Sequence, residues 1–133
     1  MQQKFKRDFD ELKKIVMMTE AVFRELGLNP ALRNIVDLAT EELFVNMVTY
    51  NTESNEDILI EMAPHPLGLE VRLTDYDVER FDPTRAAPVD INAPLDERSP
   101  GGLGLYLVMK MVDSIHYEYR NRQSKITFIV DRK

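Results

Sequence analysis

Pro100-Gly101-Gly102-Leu103-Gly104-Leu105-Tyr106-Leu107-Val108 is the stretch on which the reading of this 133-residue chain turns. The chain has five glycines, and three of them fall between Gly101 and Gly104, directly before an apolar run with helical spacing. Glycine admits positive φ and close approach of another group, while a helix start presents free N–H groups and the positive end of its dipole. A glycine-lined helix start is therefore a cradle for an anion, most readily phosphate. Taken alone, Gly-Gly-x-Gly is equally a flexible loop before an ordinary core helix, so its surroundings decide its meaning.

Immediately upstream, from Asp75 to Pro100, neither a helical nor a strand period survives. Pro83, Pro88, Pro94 and Pro100 break this segment at intervals of five or six. A loop of that length inside a small domain is usually functional. Because it runs straight into the glycines, it reads as a lid over a ligand, covering about residues 76–100. Arg98 at its end offers positive charge to a phosphate, or else pairs with Asp96 or Glu97 at the surface.

Further out, the segments on either side carry regular periods. Ile58-Leu59-Ile60-Glu61-Met62 and the alternating Leu69, Val71 and Leu73, joined by Pro64-His65-Pro66-Leu67-Gly68, read as a β-hairpin. Downstream, Leu103, Leu107 and Met111 form the stripe of a helix ending near Asp113. Ile115, Tyr117 and Tyr119, then Ile126, Phe128 and Val130, form a second hairpin around a turn at Asn121-Arg122-Gln123-Ser124.

At the other end, a short start of strand character leads into Phe9, Leu12, Val16, Phe23 and Leu26, the apolar stripe of an amphipathic helix from about Asp8 to Glu25. Gly27 suits its C-terminal cap, and Asn29-Pro30 opens a second helix with proline in its first turn. This helix, from roughly Pro30 to Tyr50, is apolar nearly all round and so is predicted to be central and well buried. Glu42 and Asn46 interrupt it at i and i+4, on one face. A carboxylate in such a wall is costly unless it meets a polar cavity, a cation or the solvent at a helix edge. If the face lines a cavity, Glu42 supplies a base and Asn46 a carbonyl oxygen for a hydrated magnesium ion, which prefers oxygen ligands and keeps several waters.

Composition narrows the class. The chain is long enough for one domain with its own core. With no cysteine there is no disulfide, thiolate metal site or cysteine nucleophile. Two histidines, His65 and His116, are too distant in sequence for a histidine metal site. The net charge of −6 disfavours a nucleic-acid surface. The start lacks a signal-peptide core and no apolar run reaches membrane-spanning length, so a cytoplasmic protein without membrane association is expected. The order helix, helix, hairpin, lid, helix, hairpin predicts an α/β two-layer sandwich, an antiparallel or mixed sheet with helices on one face.

Taken together, Glu42-x-x-x-Asn46, Asp75, Phe81-Asp82-Pro83-Thr84, Ala93-Pro94-Leu95-Asp96-Glu97-Arg98 and Gly101-Gly102-Leu103-Gly104 resemble the GHKL ATPase superfamily. Within it they resemble, specifically, the anti-sigma-factor serine kinases of the RsbW type. The resemblance spans about Leu28 to Val130 and implies the Bergerat fold, with ATP between helices and sheet. It implies that Asn46 binds magnesium at the phosphates, that Glu42 takes the proton from a substrate hydroxyl, and that Asp75 accepts the adenine amino group. Gly101, Gly102, Leu103, Gly104 and Arg98 would contact the phosphates. Phosphoryl transfer is largely positioning and charge neutralisation, so such a set suffices. The implied partners are an anti-anti-sigma (STAS) protein, phosphorylated on serine or threonine, and a sigma factor, with the kinase usually a homodimer. The alternative reading is a partner-binding anti-sigma module that does no phosphorylation and has a weakened nucleotide site.

Two positions depart from the family pattern. Asp77 stands where Asp-x-Gly has its glycine, with one residue extra before Phe81, and Tyr50 replaces the usual histidine. A Cβ and a negative charge at Asp77 are expected to crowd the base or repel the nucleotide.

Overall fold

A computed structural model describes residues 1–52, 54–79 and 102–131 of the chain. Strand β1 (Gln2–Phe5) is followed by helices α1 (Leu12–Leu26) and α2 (Arg33–Tyr50), the hairpin β2 (Ile58–Pro64) and β3 (Gly68–Tyr76), helix α3 (Gly102–Met111), and the hairpin β4 (Ser114–Arg120) and β5 (Gln123–Asp131). The strands form a single five-stranded sheet in the order β1-β2-β3-β5-β4. Every pairing is antiparallel, so of the two expected sheet types the structure has the antiparallel one.

Strict alternation sorts the side chains between the two faces of the sheet. On the inner face Met62, Val71, Phe128 and Ile115 lie in one cross-strand row, and Ile60, Leu73, Ile126 and Tyr117 in the next. Against these rows pack Ile15, Met18 and Val22 of α1, Val36, Leu43 and Phe44 of α2, and Val108 of α3 in one buried cluster. The opposite face carries Glu61, Arg72, Thr127 and His116 in register. This is the two-layer α/β sandwich, with its helices on one face.

Helix α1 is displaced in phase from its sequence reading. Phe9, Val16 and Leu26 are exposed, at 52%, 44% and 39%, while Ile15, Met18, Val22 and Phe23 are buried. For Phe9 the start of the segment supplies the reason. Phe9–Glu11 form a 3₁₀ turn capped by the Asp8 side chain. Residues in a 3₁₀ turn advance by a larger angle than in an α-helix, so Phe9 is not carried on the α-helical stripe. The chain leaves α1 through Gly27 at φ 63°, a left-handed cap. Asn29 then caps a second 3₁₀ turn, Pro30–Leu32, ahead of α2.

Of the segment expected as a lid, about residues 76–100, residues 76–79 are among the described ones. Tyr76 completes β3 in register with Gln123. Val78 is fully buried, and its N–H donates to the Arg122 carbonyl at 3.0 Å. These residues belong to the body of the domain, and residues 80–101 lie outside the described ones. The β4–β5 turn is tighter than the four residues expected. Only Asn121 and Arg122 lie between the strands, both at positive φ, as two-residue hairpins favour. No described helix is long and apolar enough to cross a membrane.

Candidate functional site

Helix α2 carries the first part of the site. Val36, Ala39, Leu43, Phe44 and Met47 press one side of it into the core, and Phe44 meets Phe5 of β1 edge-to-face with 6.5 Å between ring centroids. The helix is thereby fixed in rotation. Asn46 is 6% exposed, and its Oδ1 finds no hydrogen-bond donor among the described residues. A buried amide oxygen without a donor is a costly arrangement that a bound cation relieves. One turn earlier, Glu42 is half-buried. Its pKa is raised above the usual glutamate value, first by burial and then by the neighbouring charge of Glu41. That shift moves a carboxylate toward the range useful for accepting a proton.

The end of β3 supplies the second part. Asp75 lies on the inner face with no exposure. It shares a cross-strand register with Ser124, also buried and facing inward on β5. Both Asp75 oxygens are engaged. Arg7 donates through Nη2 to Oδ1 in an ion pair, and Asn51 donates through Nδ2 to Oδ2 at 2.5 Å. Asn51 terminates α2, its own N–H donating to the Met47 carbonyl at 3.1 Å. The same carbonyl accepts from Arg7 Nη1 at 3.5 Å. Asp75 is therefore tied to the last turn of α2, the turn that follows Asn46. Nearby, the Ser54 hydroxyl donates to the Tyr76 carbonyl at 2.5 Å, holding the α2–β2 connection against the end of β3.

The third part is α3. Gly102, Leu103 and Gly104 form its first turn, and the helix packs against α2. The glycine-lined helix start thus belongs to the element beside the one that bears Glu42 and Asn46. Gly101 and Arg98 lie outside the described residues.

Asp77 takes φ 55°, the left-handed conformation that glycine would supply at this position. Its carboxylate does not turn inward. It is 61% exposed and accepts from Arg122 Nε at 2.9 Å, on the β4–β5 turn. Tyr119 reinforces the junction by donating its hydroxyl to the Val78 carbonyl at 2.8 Å. Neither the Cβ nor the charge of Asp77 falls where buried Asp75 sits. Tyr50, in place of the family's histidine, is 41% exposed.

Sequence reasoning missed Arg7, Asn51 and Ser124. An asparagine closing the apolar second helix was a usable signal for Asn51, and the tight β4–β5 turn sets the register that brings Ser124 beside Asp75. Nothing local announces Arg7, whose partner lies 68 residues away.

A central helix bearing a half-buried carboxylate, a buried aspartate at a strand end and a glycine-started helix, all on one side of an antiparallel sheet, make up an α/β sandwich with its polar groups gathered on the helical side. The model of the histidine kinase-like ATPase domain matches residues 5–130, and the chain belongs to that family. It is an ATP-binding domain of GHKL-like type. No curated protein matches the chain.

The donor set suits magnesium. Among the described residues no group of three or more acidic or histidine side chains gathers into a metal cage. Magnesium, however, characteristically takes one or two protein oxygens and completes its shell with water and nucleotide phosphates. Asn46 Oδ1, buried and without a donor among the described residues, fits the protein's share.

Proposed function

We propose that this domain is a magnesium- and ATP-dependent protein serine/threonine kinase and anti-sigma factor of bacterial partner switching, acting in the cytoplasm on an anti-anti-sigma (STAS) protein. The observation that carries the reading is Glu42. A half-buried carboxylate with a raised pKa stands one helical turn before a buried amide oxygen that lacks a donor among the described residues. Asn46 would hold magnesium, whose chemistry is to neutralise charge on the phosphates.

Glu42 would accept the proton from the substrate hydroxyl as that oxygen bonds to the γ-phosphorus. The bond from that phosphorus to the bridging oxygen breaks, and ADP leaves with the electron pair. Asp75 would accept from the adenine amino group. Gly102, Leu103 and Gly104, with Gly101 and Arg98 before them, would hold the phosphates at the start of α3. A sigma factor as second partner and a homodimeric state complete the proposal, which rests for these on the RsbW-type resemblance.

Labelled ATP and magnesium with a candidate anti-anti-sigma protein test it. The wild type should transfer label to serine or threonine, and Glu42→Gln should bind ATP without transferring. Equal transfer by Glu42→Gln removes the assigned base. One observation favours the second reading, a partner-binding module with a weakened nucleotide site: Arg7 and Asn51 already engage both oxygens of Asp75. That reading expects partner binding indifferent both to ATP and to Glu42→Gln.

A further inference from the structure

We propose that Arg7 is an internal competitor for the base-recognition carboxylate, so that nucleotide binds by displacing the Arg7 guanidinium from Asp75. The proposal rests on the nucleotide-binding reading above and adds a regulatory element to it.

A carboxylate with no exposure needs a compensating partner, and in this structure Arg7 is that partner. Its side chain is itself only 12% exposed. The guanidinium reaches Asp75 at the end of β3 with one nitrogen and the Met47 carbonyl in the last turn of α2 with another. It therefore spans the gap between the two elements that would grip a base.

An arriving exocyclic amino group is a neutral donor. The guanidinium is a full positive charge, so it holds the same carboxylate as an ion pair as well as a hydrogen bond, which a neutral donor cannot match in a site with little exposure. Asn51 already donates to the other oxygen, so a newcomer reaches either oxygen only beside a donor in place, and Arg7 stands in the approach between β3 and the last turn of α2. Binding thus carries the cost of releasing Arg7, which lowers the apparent affinity by the fraction of molecules in which Asp75 is uncovered.

The backbone around Arg7 makes this release local. On one side Phe5 is buried against Phe44 and pairs with Ile58. On the other Asp8 caps the 3₁₀ turn before α1, and its N–H closes a tight turn on the Lys6 carbonyl at 2.8 Å. Release of Arg7 should loosen residues 6–10 while β1 keeps its place in the sheet.

Two measurements test this. Calorimetric titration with ATP and magnesium should give a Kd at least threefold lower for Arg7→Ala than for wild type, with Arg7→Gln changed in the same direction. Amide hydrogen exchange on the wild type should become faster at residues 6–10 when ATP is saturating. An unchanged or weaker affinity in a folded Arg7 variant overturns the proposal while the nucleotide reading stands. If neither wild type nor variant takes up ATP, both fall together. Should every Arg7 variant fail to fold, the exchange experiment decides alone, and unchanged or slower exchange at residues 6–10 overturns the proposal.

Discussion

Asp77 and Arg122 face each other across the end of the sheet with 2.9 Å between Oδ1 and Nε, and both have left-handed backbones, at φ 55° and 61°. An aspartate tolerates this region because its short polar side chain suits it, while most other side chains are strained there. Asp77→Gly should therefore be close to neutral in stability, because relief of backbone strain offsets loss of a solvent-screened surface ion pair that contributes little. Asp77→Val should cost about 1–3 kcal/mol, since a branched Cβ is forced into the same region. Thermal or denaturant unfolding measures both, and neither change should alter ATP affinity by more than about twofold, well under the tenfold that 1.4 kcal/mol represents.

Glu42 predicts opposed effects on activity and stability. Its folded pKa is raised by burial and by Glu41, so the folded protein binds this proton more tightly than the unfolded chain does. This carboxyl therefore favours folding at low pH. Its contribution declines as pH rises from the ordinary glutamate value through the raised one. Glu42→Gln should then melt higher than wild type at neutral pH while losing phosphate transfer. In the wild type, transfer should rise with pH through the raised pKa and level off above it. A melting temperature that falls on Glu42→Gln contradicts the burial account.

For Asn46, the prediction concerns the ion. Because its Oδ1 has no donor to lose among the described residues, Asn46→Ala should cost about 1 kcal/mol or less in stability beyond the small cavity it leaves. It should nonetheless remove the magnesium dependence of ATP binding, read by calorimetry with and without the metal. Retained magnesium dependence would show that another group holds the ion.

Asn51→Ala leaves Asp75 Oδ2 without its donor inside the protein. An unsatisfied buried acceptor of this kind costs about 1–3 kcal/mol. Chemical denaturation should show a loss in that range, and Asn51→Asp should be worse because it sets a second carboxylate against Asp75.

The legible and illegible parts of this molecule divide by the range of the interactions. Leu69, Val71 and Leu73, and likewise Ile126, Phe128 and Val130, declare their strands because a two-residue period is a local property. Glu42 and Asn46 stood out because polar residues one turn apart are conspicuous in an apolar helix. The phase of α1 was misread because Phe9 and Val16 align with Phe23 in sequence, whereas a 3₁₀ start turns Phe9 off the buried stripe. The side to which Asp77 points depends on Arg122, a strand pair away, and the cover over Asp75 depends on Arg7. Neither pairing leaves a trace in any short window.

The strand order also bears on how the chain acquires its shape during synthesis. β1 finds its neighbour only after both α1 and α2 have been made, with Phe5 opposite Ile58, and β3 finds its second neighbour only when Gln123 and the residues beyond it are available. Pairings this distant in sequence are slow to form, because long loops must close before any contact rewards them. Until β5 arrives, β3 has an open flank of unpaired N–H and C=O groups lined by Val71 and Leu73, the kind of edge that recruits other chains. The emerging chain is thus most exposed to aggregation while its third helix is being synthesised, and translation speed or chaperone supply at that point should govern its yield more than the stability of the finished fold.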